Sequence, residues 1–272
     1  MRTKVNIIFR TCDKVNALHG TDRPYGMTKE QIVNYCFISL KRSLAYSQNI
    51  NDINHDVIVV GDELSQERIE WYKVYGPKVI YNDYYTNGPS IAKTFEIAND
   101  LPDDEWIYFC EDDYLHMDES FLHIYDFLDN YEMYLKDFKD KDLFIHPVDY
   151  PDRYSREDDL YKKWHIFISK FTHWRQIYNT TYTFLCSVKS FKKYYEVFME
   201  SAETWDDGLF SDKVFWRDDV ICLSPMPSLA CHMHEICMSP FIDWSGVLQH
   251  IQNEDKFERQ KNLERMKIQY DD

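Results

Sequence analysis

Apolar positions in the first half of the chain follow two rhythms in alternation. Val5 to Phe9 is a short apolar run of the kind that fills a buried strand. Thr28 is followed three residues later by Gln31, the pattern of a capping box. Behind it Ile32, Val33, Cys36, Phe37, Leu40 and Leu44 recur at helical spacing. His55 to Gly61 reads as a second strand, Ser65 as the cap of a second helix, and Lys78 to Tyr81 as a third strand. Gly88-Pro89-Ser90 opens a third helix, with proline early, where its missing N–H is not needed. Trp106 to Cys110 is a fourth buried strand, and Asp118 is the expected cap of the helix behind it.

Strands alternating with helices predict an α/β protein whose mostly parallel central sheet is flanked by helices. In such sheets ligands bind beyond the carboxyl ends of the strands. Three polar segments stand there: Arg10-Thr11-Cys12, Gly61-Asp62-Glu63 and Glu111-Asp112-Asp113. The topology directs all three to one crevice.

The second half is less regular. Leu143 to Ile145, Thr181 to Cys186 and Asp219 to Leu223 read as strands. Ser187 to Ser201 reads as a helix with Val188, Phe191, Tyr194, Tyr195 and Phe198 on one stripe. Thr204 is the expected cap of a helix beginning at Trp205-Asp206-Asp207. Asp149 to Tyr178 is polar and aromatic without a clear period, the mark of a functional loop. The tail from Asn253 is charged and reads as helical. With no linker or repeat, the expectation is one domain over 1–272: a nucleotide-binding half to about 117, an acceptor-side half over about 118–252, and a terminal helix over 253–272.

Composition narrows the function classes. The formal charge of −16 disfavours a nucleic-acid polymer as partner, since no basic patch offsets it. An acidic protein can still bind an anionic nucleotide through a divalent cation. Only 7 glycines occur, too few to expect a Gly-rich phosphate loop. The seven cysteines are odd in number and irregularly spaced, which reads as reduced thiols. With no apolar run long enough for a transmembrane segment and no signal peptide in view, the expectation is a cytoplasmic protein. Oligomeric state is not legible.

Glu111-Asp112-Asp113 carries the sharpest chemistry. Three carboxylates directly after a buried strand are costly unless something positive sits among them, and Mn²⁺ or Mg²⁺ suits oxygen ligands. Trp205-Asp206-Asp207 adds paired carboxylates, one of which could act as a base, although acids at a helix start also complement its dipole. Cys231-His232-Met233-His234-Glu235 puts two histidines at i and i+2, on the same side of a strand-like segment. A zinc set of Cys231, His232, His234 and Cys237 is a rival reading of that stretch.

These motifs together resemble the GT-A glycosyltransferases, whose metal motif follows a central strand and often reads Glu-Asp-Asp. The resemblance implies a GT-A (Rossmann-like) fold that transfers a sugar from a UDP- or GDP-type donor to a carbohydrate acceptor hydroxyl. It implies that Asp113 binds the metal, with Glu111 and Asp112 nearer the ribose and base. VVGDELS resembles the family segment whose aspartate, here Asp62, contacts the nucleobase. NIIFRTCDK resembles its first strand and turn, so Arg10, Thr11 and Cys12 would flank the nucleotide. Lys93 lies on the helix before the metal motif, as a phosphate contact or an ordinary exposed lysine. A late histidine completing the metal shell would be His234, or else His232.

Trp205-Asp206-Asp207 resembles the pattern of some inverting N-acetylglucosaminyltransferases. That implies Asp207 as base, with Asp206 as its substitute or an acceptor contact. His146, Asp149, Tyr150, His165, His173 and Trp174 are candidates for an acceptor surface. Two other classes stay open. A nucleotidyl- or phosphoryl-transfer enzyme on a similar fold would want a Gly-rich or basic loop, which RTCDKVNALHG matches poorly. A non-catalytic nucleotide-sugar-binding protein would keep Asp113 without needing Asp207.

Overall fold

The computed structural model describes residues 3–14, 22–51, 53–154 and 164–253. The four expected strands of the first half form as β1 (Lys4–Cys12), β2 (Asn54–Asp62), β3 (Lys78–Asn82) and β4 (Trp106–Glu111). Later come β5 (Tyr114–His116), β6 (Asp142–Ile145), β7 (Ile166–Ile168), β8 (His173–Ile177), β9 (Phe184–Ser187), β10 (Val220–Met226) and β11 (Ala230–His232). Nine of them make one sheet in the order β3-β2-β1-β4-β9-β6-β10-β8-β7. Following the pairings across it, only β9 and β8 run against the others, so the sheet is mixed but mostly parallel.

The helices are α1 (Lys29–Asn51), α2 (Gln66–Val74), α3 (Asn87–Asn99), α4 (Ser120–Leu135), α5 (Val188–Lys193) and α6 (Tyr195–Thr204). The capping box at the start of α1 closes as expected. Gln31 N–H donates to Thr28 Oγ1 (3.2 Å) and Thr28 N–H to Gln31 Oε1 (2.9 Å). Ser65 likewise accepts from Arg68 N–H at the start of α2.

Strand alternation sorts the core onto two faces. Val5, Ile7 and Phe9 of β1, with Tyr108 of β4, face α1, α2 and α4. Ile8, with Ile107 and Phe109, faces α3, α5 and α6. A third apolar cluster joins Ile32 and Cys36 of α1 to Leu115, Cys231, Met233, Trp244 and Leu248. It fastens the two-stranded ribbon of β5 and β11, and a helix over 244–253, against α1.

Several expected boundaries move. Asp118 does not cap α4, which begins after Glu119. Its carboxylate is instead gripped by the Arg42 guanidinium of α1 (2.6 and 3.1 Å), a two-pronged ion pair that ties α1 to the turn before α4. The helix expected over 187–201 breaks at Tyr194 (φ −112°, ψ 14°) into α5 and α6. Thr204 ends α6 rather than opening a new helix. Trp205 then turns left-handed (φ 60°), its N–H closing on Ser201 O, so the next helical turn starts only at Gly208. The aperiodic stretch hides β7 and β8, too short and too mixed in polarity to show a period. The charged tail expected to be helical lies outside the described residues beyond 253. Among the described residues no helix is long and apolar enough to cross a membrane. All seven cysteines are free, six of them buried.

Candidate active site

Parallel register gathers the three polar strand ends. Cys12 stands opposite Asp62 and Arg10 opposite Glu111. Arg10 Nη2 pairs with Glu111 Oε1 at 2.6 Å, and Nη1 reaches Ser90 Oγ at the start of α3 (3.4 Å). Burial would lower the Arg10 pKa, but Glu111, Asp112 and Asp113 together raise it. Burial likewise pushes the Glu111 carboxyl up, against the pull of Arg10. Asp112 Oδ2 accepts from the Thr11 hydroxyl (2.9 Å) and Cys12 N–H (3.1 Å), and Lys29 Nζ lies 3.4 Å away. One oxygen of Asp112 thus ties the ends of β1 and β4 to the start of α1.

Asp113 faces the other way, toward β11. His232 pairs in register with Tyr114, and Met233 N–H donates to Asp113 O at 2.8 Å. Met233 is buried in the third cluster, so alternation turns His232 and His234 together toward Asp113. Asp113 Oδ2 lies 3.1 Å from His234 Nε2 and 3.4 Å from His232 Nε2. The carboxylate oxygen and the two imidazole nitrogens all lie within 4.8 Å of one another. Burial disfavours charge on Asp113 and on His232. His232 and His234 nonetheless hold the carboxyl well below its ordinary range, and Tyr150, then Asp113, hold the His232 imidazole well above. The His232 ring stacks on Tyr114 (4.7 Å, 13°), and its Nδ1 is hydrogen-bonded to Tyr150 OH at 2.9 Å.

Asp206 and Asp207 follow the left-handed Trp205. Asp206 Oδ1 accepts from Gly208 N–H (2.9 Å) and so ends in a local turn. Asp207 does not cap that turn. Burial, then the charges of Glu111 and Asp206, raise its pKa from 3.8 to about 6. The charge of His232 acts on Asp207 in the opposite sense, lowering its pKa. The Tyr182 hydroxyl donates to Ser201 O (2.9 Å), with burial raising its pKa to about 12. The Trp-Asp-Asp segment is seated against α3: a Cβ added at Gly88 would stand 2.6 Å from both Ala202 O and Trp205 Nε1.

Asp62 is buried at the end of β2, where its Oδ1 accepts from the backbone N–H of Tyr84 (2.7 Å) and Tyr85 (3.2 Å). Burial pushes its carboxyl up. Lys93 pairs with Glu96 (2.9 Å) on an outer groove with Tyr81 and Tyr84. A cleft of about 410 Å³ opens beside the ends of β1 and α1, lined by Cys12, Lys29, Ser65, Arg68 and Trp71.

The zinc set is not assembled. Cys231 points with Met233 into the third cluster, away from the histidines, and among the described residues only Asp113, His232 and His234 form a metal-sized group. Among the acceptor candidates, Trp174 is core, with Nε1 donating to Ser169 Oγ (3.0 Å). His165 is hydrogen-bonded to Gln176 (2.7 Å) beside Phe138, Asp149 is buried against Arg175 and Tyr154, and His173 is exposed on β8. His146 is buried, with Nδ1 hydrogen-bonded to Thr183 O (2.7 Å). Of that group, Tyr150 is hydrogen-bonded to His232 and the His146 ring packs edge-on against Tyr114. Lys29, Tyr114 and Tyr182 were not singled out from sequence. Lys29 lies on α1, Tyr114 on β5 and Tyr182 in the bend before β9, and each makes its contact across the chain.

No protein-family model matches the chain, and no curated protein matches it significantly. Solved structures do align with it. Staphylococcus aureus TarS aligns at 17% identity and TM-score 0.45, over 82% of this chain and 35% of that one. The chain thus spans about a third of the length of TarS. Galactosyltransferase LgtC, in complex with donor and acceptor sugar analogues, aligns at 11% identity and TM-score 0.41, over 80% of this chain and 72% of that one. The 4-diphosphocytidyl-2C-methyl-D-erythritol synthase of Anaerococcus prevotii aligns at 14% identity and TM-score 0.38, over 92% and 96%. All three alignments have TM-scores below 0.5.

Proposed function

We propose that this chain is a metal-dependent GT-A-type glycosyltransferase of the inverting kind. The observation that carries the reading is the carboxylate–diimidazole cluster of Asp113, His232 and His234; the partly buried Asp207, its pKa raised by burial and by the charge of Glu111, supports it as the base. The cluster fits a divalent cation. It offers one oxygen and two nitrogens at mutual distances a single ion can span, and acids outnumber Arg10 and Lys29 around it. Two imidazoles favour Mn²⁺ over Mg²⁺, which prefers oxygen ligands throughout. When bound, the cation supplies Lewis-acid stabilisation of a leaving diphosphate.

The remaining work falls to the chain. Arg10, held between Glu111 and Ser90, sets positive charge beside the diphosphate path. The cleft between Lys29 and Trp71 offers room for the nucleoside. Asp207 Oδ accepts the proton of the acceptor hydroxyl as that oxygen attacks the sugar from the face opposite the diphosphate. An acid near pKa 6 is ionised at neutral pH yet is a stronger base than an ordinary carboxylate. Asp206, engaged with Gly208 N–H, shapes the turn that presents it.

The test is a screen of nucleoside diphosphate sugars with Mn²⁺, repeated on Asp207→Asn. Transfer should fall by about 10²–10⁴-fold while donor binding persists. Loss of binding and turnover together would place Asp207 in donor recognition. Turnover of nucleoside triphosphates in place of diphosphate sugars would move the chain to nucleotidyl transfer.

A further inference from the structure

The metal reading leaves a buried polar chain beside the cluster unexplained. Thr181 Oγ1 is hydrogen-bonded to Tyr114 OH (2.6 Å), Tyr114 OH to Tyr150 OH (2.9 Å), and Tyr150 OH to His232 Nδ1 (2.9 Å). We propose that Tyr150 is a positioning residue for the metal site, its hydroxyl fixing the His232 ring so that Nε2 is presented toward Asp113. This rests on the metal reading of Asp113, His232 and His234.

The imidazole has two nitrogens, and which one serves a metal is set by the partner of the other. Here Nδ1 is engaged by Tyr150, leaving Nε2, 3.4 Å from Asp113 Oδ2. The tilt of the ring is set separately, by stacking on Tyr114. Rotation within the ring plane is what Tyr150 removes. Tyr150 is itself immobilised, with its ring stacked on His146 (5.3 Å, 28°) and the Arg153 guanidinium 5.6 Å from its centre. A neutral phenol in this place orients the ligand without adding a further negative charge to an acid-rich crevice.

Tyr150→Phe keeps the ring and its stacking and removes only the hydroxyl. Mn²⁺ binding to the full chain, followed by electron paramagnetic resonance without substrate, should weaken by about 10–100-fold. The thermal midpoint of the metal-free protein should change little, and transfer should recover as Mn²⁺ is raised. Tyr114→Phe, which removes the hydroxyl behind Tyr150, should weaken binding less and serves if the first variant does not fold. Asp113→Asn separates the two levels of the argument. If it abolishes Mn²⁺ binding while Tyr150→Phe binds within about twofold of the parent, the positioning role is overturned and the metal site stands. If the parent itself binds no Mn²⁺, both are overturned.

Discussion

At the scale of the residue, environment separates the two neighbouring acids of the Trp-Asp-Asp segment. Asp206 is exposed and hydrogen-bonded to Gly208, whereas Asp207 is partly buried and its pKa is raised by burial and by the charge of Glu111. A raised pKa of about 6 has two consequences of opposite value. If Asp207 is the base, kcat/KM should fall tenfold per pH unit below about 6, read from a pH–rate profile. Folding responds in the other sense. The folded state holds this proton more tightly than the unfolded chain does, so the stabilisation is full below 3.8 and is lost as pH rises through about 6. Asp207→Asn should therefore be more stable than the parent near neutral pH, by about 1 kcal/mol after solvent screening, in urea melts at matched pH. The carboxylates were legible in sequence because each follows a recognisable strand or motif. Tyr150 stood only in a loose group of six aromatic and polar residues. Its bond to His232 spans 82 positions, and no local pattern encodes it.

At the scale of the element, apolar periodicity predicted β1 to β4 and the helices between them, because each buries a whole face. It failed where short-range hydrogen bonds decide. Trp205 ends α6 in a left-handed conformation that side chains other than glycine rarely adopt, and the expected helix start moved three residues on. It also missed β7 and β8, which lie at the far edge of the sheet. The Trp205 turn depends on its neighbour in α3. Gly88→Ala would drive a methyl group into a backbone carbonyl and the Trp205 indole, so the helix or the turn must shift. The expected cost is about 1–3 kcal/mol in denaturant unfolding. A fall in kcat should accompany it, with Mn²⁺ affinity unchanged, since the clash is with Ala202 O and the Trp205 indole rather than with the Asp113 cluster.

At the scale of the whole molecule, a net charge of −16 gathers part of its repulsion at one end of the sheet, where Asp62, Glu111, Asp112, Asp113 and Asp207 meet. A cation that binds the folded state alone must stabilise it. Mn²⁺ at ~100 times its dissociation constant should add about 2.7 kcal/mol, raising the melting midpoint by several degrees in a thermal-shift assay. A chelator should reverse the gain, and Asp113→Asn should abolish it. The third apolar cluster sets the order in which this can happen. Asp113 and His234 are 121 positions apart, and β11 is held beside β5 by Trp244 and Leu248, farther still along the chain. A nascent chain that has released β1 to β4 already carries every acid of the strand ends, yet has no imidazole to set against Asp113. On the proposed metal reading, a fragment ending near residue 225 would keep Asp113 and lack both His232 and His234, so it should show no Mn²⁺-dependent thermal shift. On that reading, ion binding would mark that synthesis has passed the ribbon and the helix packed against it.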